Sequence, residues 1–533
     1  MGTASAASED VKSYSARLEE ANRQLQETNQ NNIIQFEKKV AILEQENQYL
    51  QEKLKLALFR QFARHAERFV GEGQLPLFDS GEGTAPPAGE QTDETETVRS
   101  YNRTKRGRKP IDEHIPRIDE MIDIPEADKQ CACGSALVCI GEDVAERLVM
   151  VPEQVYVIRY HMKKYACHEC EGSGDEERPA VRRGEAPKNL LPGSITTPEL
   201  LSYIFTKKYC DYTPYFRQEA AFGRIGIRLS RQNMANWQQR VTEKLHPLFG
   251  LLKEHIRSGT VVQMDETTMT VMDEPGRANG QKSYMWLARG GPPGRPALWY
   301  EYRQTREKKH IAEILGGFRG YLQSDGYSSY ESAAEQDMTG VIHVGCWAHA
   351  RRKFFEAMKL AAKGSLAEVA LSWIKGLYTV EKDLRAKLQN ETIDAETFEM
   401  QRRERCEPIL RVFREWLEEN RGIAPASSKI GEAINYALNE WHTLERYVLD
   451  WQLTPDNNAC ERGIRPFVMG RKNWVMSGSP AGAKSSCELY TLIETAKANN
   501  RNPVKYLTRL FEKATAMRPS DDWSQLLPWN LTL

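Results

Sequence analysis

The chain has 533 residues, which is too long for one hydrophobic core and therefore predicts several domains. Its 73 basic and 74 acidic residues balance, so a surface for a polyanion has to come from local clusters of charge. The sequence shows neither the long apolar stretch of a membrane helix nor, in residues 1–20, the pattern of a secretion signal. We therefore expect a cytoplasmic protein whose ten cysteines are reduced thiols or metal ligands.

Residues 1–70 are predicted to contain a coiled-coil dimerisation helix. Between residues 18 and 58 there is neither Pro nor Gly, and a heptad pattern fits the second half of this stretch. The seam positions are occupied by Ile33, Phe36, Val40, Leu43, Asn47, Leu50 and Leu54. A buried Asn at such a position favours one register, often that of a parallel dimer. A single amphipathic helix packed on its own protein is the alternative.

Residues 71–125 are predicted to form a linker with a basic arm. Residues 71–100 are acidic and rich in Gly and Pro, whereas "YNRTKRGRKP" is strongly basic and is held extended near Pro110. Such an arm is typical of segments that bind phosphates or the DNA minor groove. The candidate contacts are Arg103, Lys105, Arg106, Arg108 and Lys109. A solvated basic run is the alternative.

Residues 126–180 are predicted to form a zinc-binding module. Two close cysteine pairs, in "CACG" and "YACHEC", flank a stretch that is rich in strand-forming residues. Two loops that each present two thiolates match a tetrahedral zinc site. The candidate ligands are Cys131, Cys133, Cys167 and Cys170. Because the first pair is unusually close, Cys139 or His168 could replace one ligand, and four ordinary thiols are the alternative.

Residues 181–250 are predicted to contain a helix-turn-helix. The segment "TPYFRQEAAFGRIGIRLSRQNMANWQQRV" indicates a helix, a turn with Gly and a second helix that begins after Ser230 as N-cap. In DNA-binding proteins the start of such a second helix meets phosphates and base edges. The candidate DNA contacts are Arg224, Arg228, Arg231 and Gln232. A purely structural pair of helices is the alternative.

The rest of the chain is predicted to be an interrupted α/β core. Residues 251–348 alternate strand and helix patterns, with five strands, the first ones adjacent, and a helix around "KKHIAEILGGF". Residues 349–450 are almost wholly helical, which indicates a helical insertion. Residues 451–533 return to the core; they lead from a short helix into a basic, Gly-containing loop and then a helix from about residue 487 to 498.

Three acids break these patterns. Asp265 interrupts an apolar strand, Asp325 ends "YLQSDGY", and Glu461 follows on a later helix. Acids at these places can meet at one edge of a sheet, where bound Mg²⁺ would offset the cost of burying them. Two ions about 4 Å apart would then act on a phosphodiester. The basic residues after Glu461 are candidate contacts to DNA phosphates: Arg465, Arg471 and Lys472.

The segment "CWAHARRKF" contains Cys346 and His349 at C-x-x-H spacing. No second pair of ligands accompanies them in the sequence, which argues against zinc there. His349 either faces the acids, where it assists proton transfer or binds phosphate, or is a structural histidine. Together with Arg351 it is a candidate DNA contact.

These motifs, in this order, resemble transposases of the insertion sequence 66 family. The resemblance rests on "DET" at Asp265, "SDGY" at Asp325, "CWAHARRKF" and "NNACERGIRPFVMGRKNW", and it extends to the leucine-rich helix, the basic arm and the cysteine region. It implies a multidomain α/β protein with a ribonuclease-H-like catalytic core and a helical insertion. It also implies that Asp265, Asp325 and Glu461 are catalytic acids for two Mg²⁺ or Mn²⁺ ions, and that the cysteine region holds a structural Zn²⁺.

The activity implied by the resemblance is cleavage at the ends of a mobile element, followed by transfer of the 3′-hydroxyl to target DNA. The implied partners are double-stranded DNA, both terminal inverted repeats and target, a second copy of the chain bound through the coiled coil, and small accessory proteins encoded by the same element. No membrane partner is expected, and the expected place of action is the bacterial cytoplasm, at the nucleoid when DNA is bound. A nuclease or resolvase that cuts without joining, or a non-catalytic DNA-binding regulator, is the alternative.

Overall fold

The computed structural model describes residues 23, 30, 155–166, 181–183, 185–361 and 364–533. The heptad positions of the predicted coiled coil, the basic arm and the cysteines and histidine of the predicted zinc module lie outside the described residues. The chain divides into two units, one of residues 65–185 and the other of residues 1–64 and 186–533. None of the helices in the described ranges is both long and apolar enough to cross a membrane.

In the unit of residues 65–185, strand β1 (Lys164–Ala166) pairs antiparallel with strand β2 (Val181–Arg183). Tyr165 lies opposite Arg182 in this pairing. Residues 155–163 are exposed and form no strand. The prediction of strands before the second cysteine pair is therefore wrong for these residues. Strand propensity describes a half-buried surface, and here no burial accompanies it.

Four helices precede the large sheet of the other unit. They are α1 (Pro198–Tyr209), α2 (Tyr215–Arg224), α3 (Arg231–Lys244) and α4 (His246–Arg257). The turn between α2 and α3 contains Gly226 at φ 80°, a backbone conformation that favours glycine. Ser230 Oγ accepts a hydrogen bond from the Asn233 N–H at 3.2 Å, which confirms the predicted N-cap. The predicted order of helix, Gly turn and helix is therefore confirmed.

A five-stranded mixed sheet forms the centre of this unit. Its strands are β3 (Val261–Thr270), β4 (Lys282–Gly290), β5 (Ala297–Arg303), β6 (Gly320–Gln323) and β7 (Val341–Val344), in the order β5-β4-β3-β6-β7. β3, β4 and β5 are antiparallel neighbours, whereas β6 and β7 run parallel to β3. Helices α5 (Lys309–Leu315) and α6 (Ser328–Gln336) make the two crossovers. The predicted α/β class is confirmed.

A helical region with its own hydrophobic core follows β7. It contains α7 (Trp347–Met358), α8 (Leu366–Gln389), α9 (Ala395–Arg421), α10 (Lys429–Asn439), α11 (Trp441–Leu444) and a 3-10 turn (Glu445–Leu449). Trp347 and Trp441 meet edge to face, 5.6 Å between ring centroids, against Phe413. The fully buried guanidinium of Arg402 donates to the carbonyl oxygens of Asp450 and Leu453, the latter at 2.9 Å. The helical region is thereby fixed to the chain that returns to the sheet.

Three helices and a 3-10 turn complete the unit: α12 (Asn458–Trp474), α13 (Pro480–Ala498), α14 (Pro503–Ala516) and Trp523–Leu526. The predicted basic loop after Glu461 is wrong, because α12 continues through Arg465, Arg471 and Lys472. The next helix begins at Pro480 rather than near residue 487. Ile464 and Phe467 bury one face of α12, and tertiary burial of this kind overrides the weak helix propensity of an internal Gly or Pro.

Gly463 lets α12 lie close to the sheet. A methyl group on Gly463 would be 2.7 Å from Leu287 Cδ2 and 2.9 Å from Leu298 Cδ2. The Tyr300 hydroxyl also donates to the Gly463 carbonyl oxygen at 2.6 Å. Any larger side chain therefore has to move the helix or the strand side chains below it.

We expect Gly463→Ala to lower the free energy of unfolding by about 1–3 kcal/mol, the usual cost of overpacking a core. Gly250→Ala is the matched control, since Gly250 is an exposed glycine of α4 with open space around it. That change is expected to stabilise by about 0.5–1 kcal/mol. Urea denaturation of both variants measures the difference, and equal stability of the two would contradict close packing at Gly463.

Candidate active site

Asp265 lies within β3, and Asp325 lies two residues after the end of the adjacent parallel strand β6. In the β3–β6 pairing, Gln263 lies opposite Gln323, and their side chains share a hydrogen bond of 2.8 Å. Each acid lies two residues beyond its glutamine along the chain, Asp265 still within β3 and Asp325 just past the end of β6. Side chains two residues apart on a strand point to the same face. The register therefore brings the first two predicted acids to the same edge of the sheet.

The position of Asp325 is fixed by its own neighbours. The Ser324 N–H donates to the Val344 carbonyl oxygen at 3.1 Å, and Ser324 Oγ lies 2.8 Å from His343 Nε2. Asp325 Oδ1 accepts from the Tyr327 N–H at 3.2 Å, which makes it the turn residue that its place before Gly also predicts.

Glu461 is brought to the same place by the start of α12. The Asn457 amide donates to the Met264 carbonyl oxygen at 2.9 Å, and the Cys460 thiol lies 3.6 Å from the Gln263 carbonyl oxygen. Both contacts are to β3 immediately before Asp265. The helix is thus fastened to the strand that carries the first acid, and Glu461 follows in the first turn of α12.

The surroundings of Asp265 shift its pKa. Burial, then the charges of Glu266 and Asp325, and more weakly that of Glu461, raise the pKa of Asp265 to about 8. The Glu266 N–H donates to Asp265 Oδ1 at 2.8 Å and opposes this rise. Without a positive charge nearby, Asp265 is therefore largely protonated at neutral pH. Asp325 and Glu461 are therefore both near enough to Asp265 to act on its charge.

His349 and Arg352 of α7 face Glu461. His349 Nδ1 lies 3.9 Å from Glu461 Oε1, and Arg352 lies 3.9 Å from Oε2. Both His349 Nδ1 and Glu461 Oε1 are buried without a hydrogen-bond partner. Burial lowers the pKa of His349, whereas the Glu461 charge raises it. The sequence leaves two alternatives for His349, a structural role or a place facing the acids. In the structure it faces Glu461.

Cys346 lies at the start of α7 beside these two residues. Its buried thiol accepts a hydrogen bond from the Asn457 N–H at 3.3 Å, and burial raises the pKa of the thiol to about 12. One ligand atom each from Cys346, His349 and Glu461 lie within 4.8 Å of one another. The C-x-x-H spacing does signal the first two, but Glu461 is far along the chain and no sequence spacing connects it to them.

Glu266 is a residue that sequence reasoning did not include. Its side chain is 2% exposed and accepts hydrogen bonds from the Tyr330 hydroxyl and from Arg306. The Arg306 guanidinium in turn lies 3.7 Å from the ring centroid of Tyr327. Alternation along β3 directs Asp265 and Glu266 to opposite faces, so the second acid of "DET" needs its own partners. Arg306, between β5 and α5, and Tyr330, on α6, meet that need.

Replacing Arg306 with Gln is expected to lower the free energy of unfolding by about 1–3 kcal/mol, because Glu266 then stays buried without its cation. Glu266→Gln with Arg306→Gln is expected to lose less than the sum of the two single changes. Chemical denaturation of the four proteins in this cycle measures the coupling. Additive losses would show that the interaction between Glu266 and Arg306 contributes nothing to the free energy of unfolding.

The remaining predicted site residues differ in exposure. Arg471 is half-buried and donates to the hydroxyl oxygens of Thr267 and Thr268, at 3.3 and 3.0 Å, so it ties α12 to β3. Arg465 and Lys472 are exposed on α12, and Arg351 is half-buried on α7. The helix-turn-helix candidates are all exposed: Arg224, Arg228, Arg231 and Gln232.

Models of known protein families match most of the chain. Four family models match: the transposase IS66 family over residues 193–485, the IS66 C-terminal element over 491–529, the zinc-finger binding domain of transposase IS66 over 128–171, and the transposase C of IS166 homeodomain over 49–119. The first of these alone spans more than half of the chain and contains all three acids.

Curated relatives from Sinorhizobium fredii match over similar lengths. The uncharacterized protein y4qI is 34% identical over 438 residues, which are 80% of this chain and 78% of that protein. The uncharacterized protein y4hP is 29% identical over 451 residues, 82% of this chain and 79% of that protein. On the family matches and this coverage, the chain belongs to the transposase IS66 family.

Proposed function

We propose that this protein is a DNA transposase that binds the terminal inverted repeats of an insertion sequence, cleaves DNA at their ends and joins them to target DNA. The observation that supports the proposal is that the charges of Asp325 and of Glu461, on α12, both act on the buried Asp265 of β3. Family membership supplies the substrate class.

The sheet supports assignment to the ribonuclease-H-like class. Three antiparallel strands, β5, β4 and β3, continue into two parallel strands, β6 and β7. The proposed catalytic acids follow as a residue within β3, a residue two positions after the end of β6 and a residue on α12. In this assignment α7 to α11 form the helical insertion between the second and third acid.

In this proposal the three acids would hold a divalent cation of the Mg²⁺ or Mn²⁺ type. Carboxylate oxygens are the ligands that Mg²⁺ prefers, and a cation would relieve both the raised pKa of Asp265 and the unpartnered Glu461 Oε1. When bound, a pair of such ions stabilises the entering and the leaving oxygen of a phosphodiester. In the cysteine region, the zinc-finger family match supports a structural Zn²⁺ held by Cys131, Cys133, Cys167 and Cys170.

The chain's own side chains would orient the DNA. His349 lies beside Glu461, where it can hold a phosphate or move a proton, and the exposed Arg465 and Lys472 follow on the same helix as Glu461. Sequence recognition is assigned to the exposed residues at the α2–α3 turn, the basic arm and the zinc module. Two ends have to be cut together, so we propose a dimer through the coiled coil, with accessory proteins of the same element as further partners. The bacterial nucleoid is the proposed place of action.

One experiment separates the three candidate activities. The full-length protein is incubated with labelled element ends, Mg²⁺ and a target plasmid. Joined products are expected. Cleavage without joining would favour a nuclease or resolvase, and retarded but intact ends would favour a non-catalytic regulator. Either of these outcomes overturns the proposal.

A further inference from the structure

We propose that Cys346, His349 and Glu461 form a second cation site, one that takes thiophilic divalent metals such as Zn²⁺, and that its occupation removes Glu461 from the proposed catalytic site. The inference concerns regulation of that site and rests on the proposed function. It uses a cysteine and a histidine that the proposed cleavage chemistry does not need as cation ligands.

The geometry suits a small cation. One sulfur, one nitrogen and one oxygen lie within 4.8 Å of one another, with 3.9 Å between His349 Nδ1 and Glu461 Oε1. Ligand atoms bound to tetrahedral zinc at roughly 2.0–2.3 Å are about 3.5 Å apart. Small side-chain rotations therefore bring all three atoms to bonding distance, and the fourth position stays open for water.

The unpartnered atoms point to a ligand between them. His349 Nδ1 and Glu461 Oε1 are both buried and lack a hydrogen-bond partner, which is uncommon for buried polar atoms. They face each other at a distance too long for a hydrogen bond. A cation between them satisfies both at once, whereas a direct hydrogen bond would first require the gap to close.

The ligand types make this site selective. Sulfur and imidazole nitrogen favour Zn²⁺ and similar metals, whereas the all-carboxylate set favours Mg²⁺. Metal binding displaces the thiol proton of Cys346 to solvent, and the thiolate then coordinates the metal. The Asn457 N–H already donates to this sulfur at 3.3 Å and would stabilise its negative charge. Glu461 is common to both sites, so the two metals compete through one carboxylate.

Cadmium tests the site without reference to activity. Cd²⁺ bound to a thiolate absorbs in the ultraviolet, and the full-length protein is titrated with CdCl₂ as wild type, Cys346→Ser and Cys487→Ser. Cys487 is a buried thiol of α13 and serves as the matched control. The absorbance at saturation is expected to fall by one thiolate in Cys346→Ser and to stay unchanged in Cys487→Ser. Equal absorbance of wild type and Cys346→Ser would overturn the site.

Inhibition by zinc tests the regulatory consequence. Cleavage at fixed Mg²⁺ is measured against added ZnCl₂, each variant relative to its own zinc-free rate. Half-inhibition is expected to need at least tenfold more Zn²⁺ in Cys346→Ser than in wild type, and more Mg²⁺ should relieve it in wild type. An unchanged Zn²⁺ requirement would overturn the regulation. If wild type cleaves nothing in Mg²⁺, the proposed function fails, while the cadmium titration still decides the site.

Discussion

Replacing Asp265 with Asn is expected to reduce strand cleavage by about 1,000-fold, because the variant loses a charge worth several kcal/mol to the transition state at the cations. Asn has nearly the same shape, and Asp265 is not among the predicted DNA-binding residues, so binding to element ends should stay within about twofold of wild type. Cleavage of labelled ends and their retardation in a gel measure the two quantities. Cleavage at the wild-type rate would remove Asp265 from the site.

The same variant has a pH-dependent effect on stability. Burial and the neighbouring acids raise the pKa of Asp265 from 3.8 to about 8, so between these values the folded protein keeps a proton that the unfolded chain has lost. The free energy of unfolding without metal therefore falls as pH rises through this window. Asp265→Asn should abolish that fall, and the variant should gain most over wild type at pH 8 and above.

Thermal unfolding in EDTA at pH 5 and pH 9 measures this difference. Mg²⁺ binds the ionised carboxylate, so the rise in Tm that Mg²⁺ produces in wild type should be larger at pH 8 than at pH 6. A Tm that changes with pH equally in wild type and Asp265→Asn would contradict the raised pKa.

Replacing Glu461 with Gln is expected to reduce strand cleavage to a degree similar to that of Asp265→Asn, while binding to element ends is retained. Glu419→Gln is the matched control, since Glu419 is an exposed glutamate on α9. The neighbouring histidine offers a readout that does not depend on cleavage. The Glu461 charge raises the pKa of His349, so Glu461→Gln should lower it further.

Titration of the His349 ring by NMR in wild type and in the Glu461→Gln variant measures that shift. An unchanged pKa would separate His349 from Glu461, and retained cleavage in the variant would remove Glu461 from the mechanism.

Pattern alone identified the acids of the proposed catalytic site. Asp265 and Asp325 stood out because a charge in an apolar strand and an acid at a strand end both break a local rule. The five strands and the following helical region also lie where periodicity places them. These features are local, and local sequence determines strand alternation, turns and caps.

The features that the sequence analysis missed depend on contacts between segments that are distant along the chain. The burial of α12 against the sheet turned an expected loop into helix. The burial of Glu266 depends on its partners Arg306 and Tyr330. Cys346 and His349 lie beside Glu461, which belongs to another helix. Spacing along the chain carries no information about such neighbours.

Arg402 links the helical region to the chain segment that leads to Glu461. Its guanidinium holds the backbone of Asp450 and Leu453, a few residues before the helix that presents Glu461. A shortened protein without α8 and α9 would lose this fastening along with the helices. Any attempt to engineer a minimal transposase from this chain therefore has to replace that anchor before trimming the helices around it.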